Sequence, residues 1–144
     1  MLLSIDLAVH QSRFIFQSVT IEYFMKLEEL HIYQMAMTLG EEIWKLAETW
    51  NYYIKDTIGK QLVRAADSIA ANIAEGYGRY HYKENLNFCF YSRGSLKETS
   101  TWLTKAKNRN LISIEKFKEL NQLCESLSVK LNNYIKTIGK TTAR

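Results

Sequence analysis

"QLVRAADSIAANIAEGYGR", residues 61–79, decides the fold, because its two glycines belong either to a phosphate-binding turn or to the end of a helix. Leu62, Ala65, Ile69, Asn72 and Ile73 recur at helical spacing, no period-two alternation is present, and alanine, the best helix former, is the commonest residue of the stretch. A dinucleotide or P-loop turn follows a strand and opens a helix, so that backbone N–H groups converge on the anion. Here no strand precedes, and both the third glycine of the one motif and the Lys-Ser/Thr pair of the other are missing. Gly76 therefore falls where a helix stops in a left-handed residue, and "GYGR" reads as a hairpin between two helices.

Composition extends that reading to the whole chain. A length of 144 residues suits one domain, and zero prolines with only six glycines favour long uninterrupted helices over a turn-dense sandwich or barrel. The net charge of +4, from 19 basic and 15 acidic residues, permits an anionic partner without requiring one. Cys89 and Cys124 lie far apart in helical patterns with no metal-ligand spacing, so they read as small buried hydrophobes in a reducing cytoplasm.

Residues 1–24 are apolar, yet Asp6 and Arg13 interrupt them and no basic region comes first. No run reaches the roughly 20 apolar residues that span a bilayer, so no membrane association is expected. A second methionine, Met25, opens the periodic part of the chain. The expected organisation is an N-terminal extension over residues 1–24, either disordered or a mis-assigned start, and a helical bundle over residues 25–144.

Four helices are predicted downstream. The first, Leu27 to Trp50, carries Ile32, Ala36, Leu39, Ile43, Leu46 and Trp50 at four-three spacing, with Tyr33, Met37, Gly40, Trp44 and Ala47 as a second seam beside them. "NYYIKD" is expected to link to a second helix capped by Asp56 or Thr57 and ending at Glu75. The third, His81 to Arg109, is expected to present Phe88, Tyr91, Ser95, Glu98 and Trp102 on one face and to end at Asn110. Ser113 caps a fourth, along which Phe117, Leu120, Cys124, Leu127, Leu131, Tyr134 and Ile138 keep heptad spacing. Short connections between them imply an all-α, antiparallel, up-down-up-down four-helix bundle with an N-terminal arm. Gly94, in mid-helix, is expected to let helices two and three approach closely, since glycine there costs about 1 kcal/mol relative to alanine.

These residues carry a family resemblance. "QLVRAADSIAANIAEGYGR" resembles the signature of the bacterial four-helix-bundle proteins encoded within intervening sequences of 23S ribosomal RNA genes, and "FCFYSRGSLKETSTWL" resembles their third-helix motif. The likeness runs from about Met25 to Ile138, departing at Val63, where a second arginine is common, at Ala70, where proline is frequent, and at Thr99, where leucine is usual. Relatives of that family include the accessory protein of diversity-generating retroelements, which forms a homopentameric barrel and binds nucleic acid and a reverse transcriptase. The resemblance thus implies a homo-oligomer, a pentamer by analogy, and no enzymatic activity.

Chemistry-bearing patterns are sparse. Glu28 and His31 have the Glu-x-x-His spacing of a di-iron bundle, but the second copy and the two further glutamates of such a site are missing; His10 and His81 lie outside the expected interior. No catalytic residue, metal site or cofactor is expected. Gln61, Arg64, Ser68, Asn72 and Glu75 form a polar line on helix two, read as a network across to Ser95 and Glu98 that fixes register. Basic residues gather toward the bundle ends: Arg79, Lys83, Lys136, Lys140 and Arg144 at the hairpin, Lys55, Lys60, Lys105, Lys107, Arg109 and Lys116 at the other. An ordinary solvated surface accounts for either group in a monomer; a ring would multiply them around one axis. Arg79, Lys83, Arg93, Lys105, Lys107 and Arg109, near Tyr77, Tyr80, Tyr82 and Tyr91, are the candidate contacts to RNA or DNA. Two functions remain open: an oligomeric accessory protein that binds nucleic acid without sequence specificity, or an adaptor or scaffold ring for another protein such as a reverse transcriptase. Because every seam and cap lies downstream of Met25, a protein starting there is expected to keep its helicity and cooperative melting; a molten or insoluble product on circular dichroism would place residues 1–24 in the core.

Overall fold

The computed structural model describes residues 25–142, which are helical with no strand among them. The arm proposed over residues 1–24 lies outside the described residues. A 3-10 turn at Leu27–Glu29 leads into α1 (His31–Glu48), followed by a helical turn at Tyr52–Ile54, a π-helical turn at Lys55–Gly59, α2 (Lys60–Tyr77), α3 (Tyr82–Asn108) and α4 (Ile114–Thr142). Each helix packs on its neighbours in sequence, and α1 closes on α4, so the four surround one core. That core is aliphatic, built on Leu39, Ile43, Leu62, Ile69, Leu103, Leu120, Leu127 and Leu131, all fully buried. Contacts order the helices in space: Ile69 meets Ser92 and Gly76 meets Phe88, while Arg93 meets Asn132 and Lys107 meets Phe117. In each pair, residue numbers rise along one helix as they fall along the next.

The caps explain most of the boundaries. Asn110 is the single non-glycine residue with positive φ among the described residues, at 57°, and it ends α3 in a Schellman turn. In that turn Asn110 N–H donates to Lys107 O at 3.0 Å and Leu111 N–H to Ala106 O at 2.9 Å. Ser113 Oγ then accepts from Lys116 N–H at 3.1 Å and starts α4. Along α4, Leu120, Cys124, Leu127, Leu131 and Ile138 are buried as their heptad spacing requires, with Ile135 beside them.

The start of the second helix is corrected. Asn51, not Asp56 or Thr57, is the cap: its Oδ1 accepts from Ile54 N–H at 3.1 Å, and helical backbone begins at Tyr52. Nothing in "YYIKD" breaks a helix, so the first available cap wins and the supposed linker is helical. Asp56 and Thr57 fall inside the π turn, where Thr57 Oγ1 donates to Tyr53 O at 2.7 Å. Gly59 closes that turn beneath Trp50: a Cβ there would lie 3.2 Å from Ile54 O and 3.4 Å from the Trp50 ring. The Trp50 indole in turn donates to Leu111 O at 3.1 Å, tying the α1 end to the α3–α4 connection.

Both glycine readings change. No glycine among the described residues has positive φ, and α2 runs through Gly76 to Tyr77 instead of stopping at Glu75. Gly76 is required for space: an added Cβ would stand 2.8 Å from both Phe88 Cβ and Asn85 Oδ1. Gly94 is the converse. It is exposed, a Cβ there would meet nothing within 4 Å, and it is not the contact between α2 and α3. The buried face of α3 also lies one residue along from the expected one, at Cys89, Ser92, Leu96, Thr99, Leu103 and Ala106, whereas Tyr91 is 59% exposed and Glu98 is exposed. Aromatic residues misplaced that face, because Phe88, Tyr91 and Trp102 outweigh the small Cys, Ser and Thr side chains that fit against alanine-rich α2. Replacing Gly76 with alanine is expected to cost about 1–3 kcal/mol through overpacking, read as a lower midpoint in denaturant unfolding at unchanged slope.

Candidate functional site

The six candidate nucleic-acid contacts do not form one patch. α3 is 27 residues, about 40 Å, long, and the cations are spread from the turn before it to its last residues. At the hairpin end, Arg79 ion-pairs with Glu75 and lies 5.1 Å from the Phe88 ring centroid, while Lys83 is exposed with no carboxylate in ion-pair range among the described residues. Tyr80 and Tyr82 stand beside them, 88% and 57% exposed. Asn85 Nδ2 donates to Tyr134 Oη at 3.3 Å, which brings the α4 turn carrying Lys136 to the same end. Arg93 lies partway along, donating to Asn132 Oδ1 at 3.4 Å and stacked 4.9 Å over Phe90.

The opposite end holds Lys105, 5.2 Å over Trp102, Lys107, 4.4 Å over Phe117, and exposed Arg109 at the α3 C-terminus. Two of its other lysines are ion-paired. Lys116 Nζ bonds Glu119 at 2.9 Å and Glu42 at 3.1 Å, and Lys60 pairs with Asp56 at 3.3 Å. The Glu119 hydrogen bond first raises the Lys116 ammonium above its ordinary value, and the hydrogen bonds from Lys45 and then Lys116 hold Glu42 below the usual carboxylate range.

Three members of the polar line, Ser68, Asn72 and Glu75, find partners four residues away along the chain. Ser68 Oγ donates to Arg64 O at 2.7 Å, Asn72 Nδ2 donates to Ser68 O at 2.8 Å, and Glu75 holds Arg79. On α3, Ser95 O accepts from Thr99 Oγ1 at 2.9 Å and Glu98 Oε1 accepts from the Trp102 indole at 3.3 Å. Short polar side chains in a helix reach the carbonyl four residues back more easily than a neighbouring helix, so the expected Arg64–Ser95–Glu98 bridge does not form. The bond that does cross is Ser92 Oγ to Ile69 O, buried and 2.9 Å long. Sequence inspection passed over Ser92 because a serine on a core seam looks out of place until its acceptor is known.

Elsewhere the chemistry is quiet. His31 opens α1 on an exposed face, and among the described residues no three His, Cys, Asp or Glu side chains gather as metal ligands. Burial pushes the Cys89 and Cys124 thiols up to about 11 each, so both are protonated, inert and unpaired. No helix among the described residues is long and apolar enough to cross a membrane.

One concave feature of the surface is a trough between α1 and α2. One part, about 570 Å³, is walled by Trp44, Tyr52 and Val63 with Lys55, Lys60 and Arg64 at its rim. A second, about 290 Å³, continues it past Met37, Gly40 and Ala71. Asp67 stands over Gly40, where an added Cβ would lie 3.1 Å from its Oδ1. Lost hydration first, and the Glu41 carboxylate second, raise the Asp67 carboxyl above its ordinary range.

The family model of the 23S rRNA-intervening sequence protein matches residues 28–133, and the chain belongs to that family. A crystal structure of a protein of unknown function from the S23 ribosomal protein family of Bacteroides thetaiotaomicron VPI-5482 is similar in fold, with a TM-score of 0.67 and 20% identity, covering 73% of this chain and 98% of that one. No curated protein matches the chain.

Asp67 gives a test of the trough's electrostatics. A carboxyl whose folded pKa is raised stabilises the fold fully below its ordinary pKa and loses that contribution as pH rises through the raised one. Asp67→Asn is expected to melt at or above the wild-type temperature at pH 7 and to flatten the decline in stability on going from pH 4 to pH 7, measured by thermal circular dichroism.

Proposed function

We propose that this chain is a non-enzymatic, oligomeric accessory protein that holds RNA or DNA by its phosphate backbone, without reading sequence, in connection with the ribosomal RNA intervening sequences for which its family is named. The observation that carries the reading is the hairpin end, where exposed Tyr80 and Tyr82 flank Lys83 and Arg79, an arrangement of stacking surfaces and cations suited to single-stranded or structured nucleic acid. One such cluster is weak. A homo-oligomeric ring, a pentamer by analogy with the retroelement accessory protein, repeats it around an axis and sums its phosphate contacts. Lys105, Lys107 and Arg109 repeat in the same way at the other end; Arg93, bonded to Asn132 on the flank, contributes least. The binding unit is residues 25–144, and two unpaired cysteines support a cytoplasmic setting.

A second reading rests on the apolar trough: the assembly acts as an adaptor ring for another protein, such as a reverse transcriptase. A salt titration of RNA and DNA binding by the purified protein separates the two. A linear fall of log affinity with log salt supports the phosphate-backbone reading. Arg79→Glu combined with Lys83→Glu is expected to weaken binding by about tenfold or more while light scattering reports an unchanged assembly. Undiminished binding by that variant would leave the adaptor.

A further inference from the structure

Two apolar features on different sides of the bundle have no occupant among the described residues. The first is the trough. Met37 and Trp44, seven residues apart on α1, are 44% and 51% exposed, and with Tyr33, Gly40 and Ala47 they continue a four-three seam on the outside of the bundle. Such a seam packs against a helix. Its floor is backbone and small side chains, Gly40 and Ala36 on α1 with Ala70, Ala71 and Ala74 on α2, so the incoming helix must itself be narrow.

The second feature is the outer ridge of α3. Gly94 stands there with nothing among the described residues against it, at a cost to its helix, with Phe90 39% and Tyr91 59% exposed one turn away. A glycine on an exposed ridge allows close approach of another backbone, which is what a shallow floor of glycine and alanine demands.

We infer that the occupant of the α1–α2 trough is the Gly94 ridge of α3 from a second copy of this chain. This rests on the oligomeric reading above and names its interface. Relative height supports it. Asp67 lies beside Gly40, and Ile69 O is bonded by Ser92; two residues back along α2 is two residues forward along α3, so Gly94 stands level with Asp67 and hence with Gly40. In a closed ring whose axis follows the bundle, rotation carries no rise, so residues of neighbouring copies meet at their own height. Gly94 then arrives at the level of Gly40 and Asp67, Tyr91 reaches the level of Met37, and Glu98 that of Arg64, an opposite charge. Lys97 arrives near Glu41, which together with Asp67 gives the trough an unrelieved pair of carboxylates. The two faces differ, so the contact is heterologous, as a ring requires, and it leaves the cation-bearing ends of the bundle uncovered.

The test uses Gly94→Leu on the ridge and Trp44→Glu in the trough. Both variants are expected to keep the wild-type helical signal in circular dichroism, because neither position is packed inside the chain, and both are expected to fall from the wild-type mass to monomer in light scattering. Mixing them in equal amounts is expected to yield a heterodimer, since the intact ridge of the Trp44→Glu chain meets the intact trough of the Gly94→Leu chain. Arg64→Glu alone is expected to weaken the assembly and Arg64→Glu with Glu98→Arg to restore it. An assembly that survives both Gly94→Leu and Trp44→Glu would assign the trough to another protein and overturn the inference while leaving the oligomer standing. Monomers that fail to pair on mixing would overturn it in favour of a different face, and a wild-type protein that is itself monomeric at micromolar concentration would overturn the oligomer as well.

Discussion

The nearness of α3 to the last turn of α2 governs the rest of the structure. Gly76 has no side chain, and Phe88 Cβ and Asn85 Oδ1 occupy the space in which one would stand, each 2.8 Å from the position of a Cβ. Held that close, α3 can turn Ser92 onto Ile69 O further down, on a seam whose buried positions include the small residues Cys89, Ser92 and Thr99. Larger residues on that seam would push the helices apart and open the core that Leu62, Ile69, Leu96 and Leu103 fill. The α2–α3 contact is accordingly the most extensive in the bundle, and α1 and α4 pack around it.

Much of this was legible. Four helices, Ser113 and Asn110 as the caps around the last connection, and the α4 heptad all follow from residue type and spacing, because local hydrogen bonding and side-chain period decide them. What failed required knowing a neighbour. Gly76 and Gly94 look alike in a sequence, yet one is crowded and the other open. The α3 face was misread because aromatic side chains on the flank weigh more in a hydrophobic pattern than the cysteine, serine and threonine of the true seam. Tyr52 begins helical backbone earlier than expected because Asn51 offers a cap before Asp56 does, and the π turn that follows adds a residue no periodicity reveals.

The candidate site was legible in kind and not in arrangement. Basic residues are where their numbers put them, but a lysine's availability depends on what lies within reach. Lys116 is consumed by Glu42 and Glu119 on two helices, Lys60 by Asp56, and Arg79 in part by Glu75. Arg93, Lys105 and Lys107 instead rest over aromatic rings, which orders the side chain without cancelling its charge. The second seam of α1 forms the wall of a trough once α2 is set beside it.

The order of packing also bears on how the chain reaches this state. Three of the four helix contacts join elements adjacent in sequence, across connections a few residues long, so each can form as a local hairpin with little loss of loop entropy. The contact of α1 with α4 is the exception. It closes over most of the chain and is fastened by the Glu42–Lys116 pair and, at its rim, by the Trp50 indole on Leu111 O. That closure is the one step carrying a long-range entropic barrier, which sets it last in a fast sequence of hairpin-by-hairpin folding. Trp50, half-buried at that seam, is the tryptophan whose fluorescence reports the moment at which the bundle shuts.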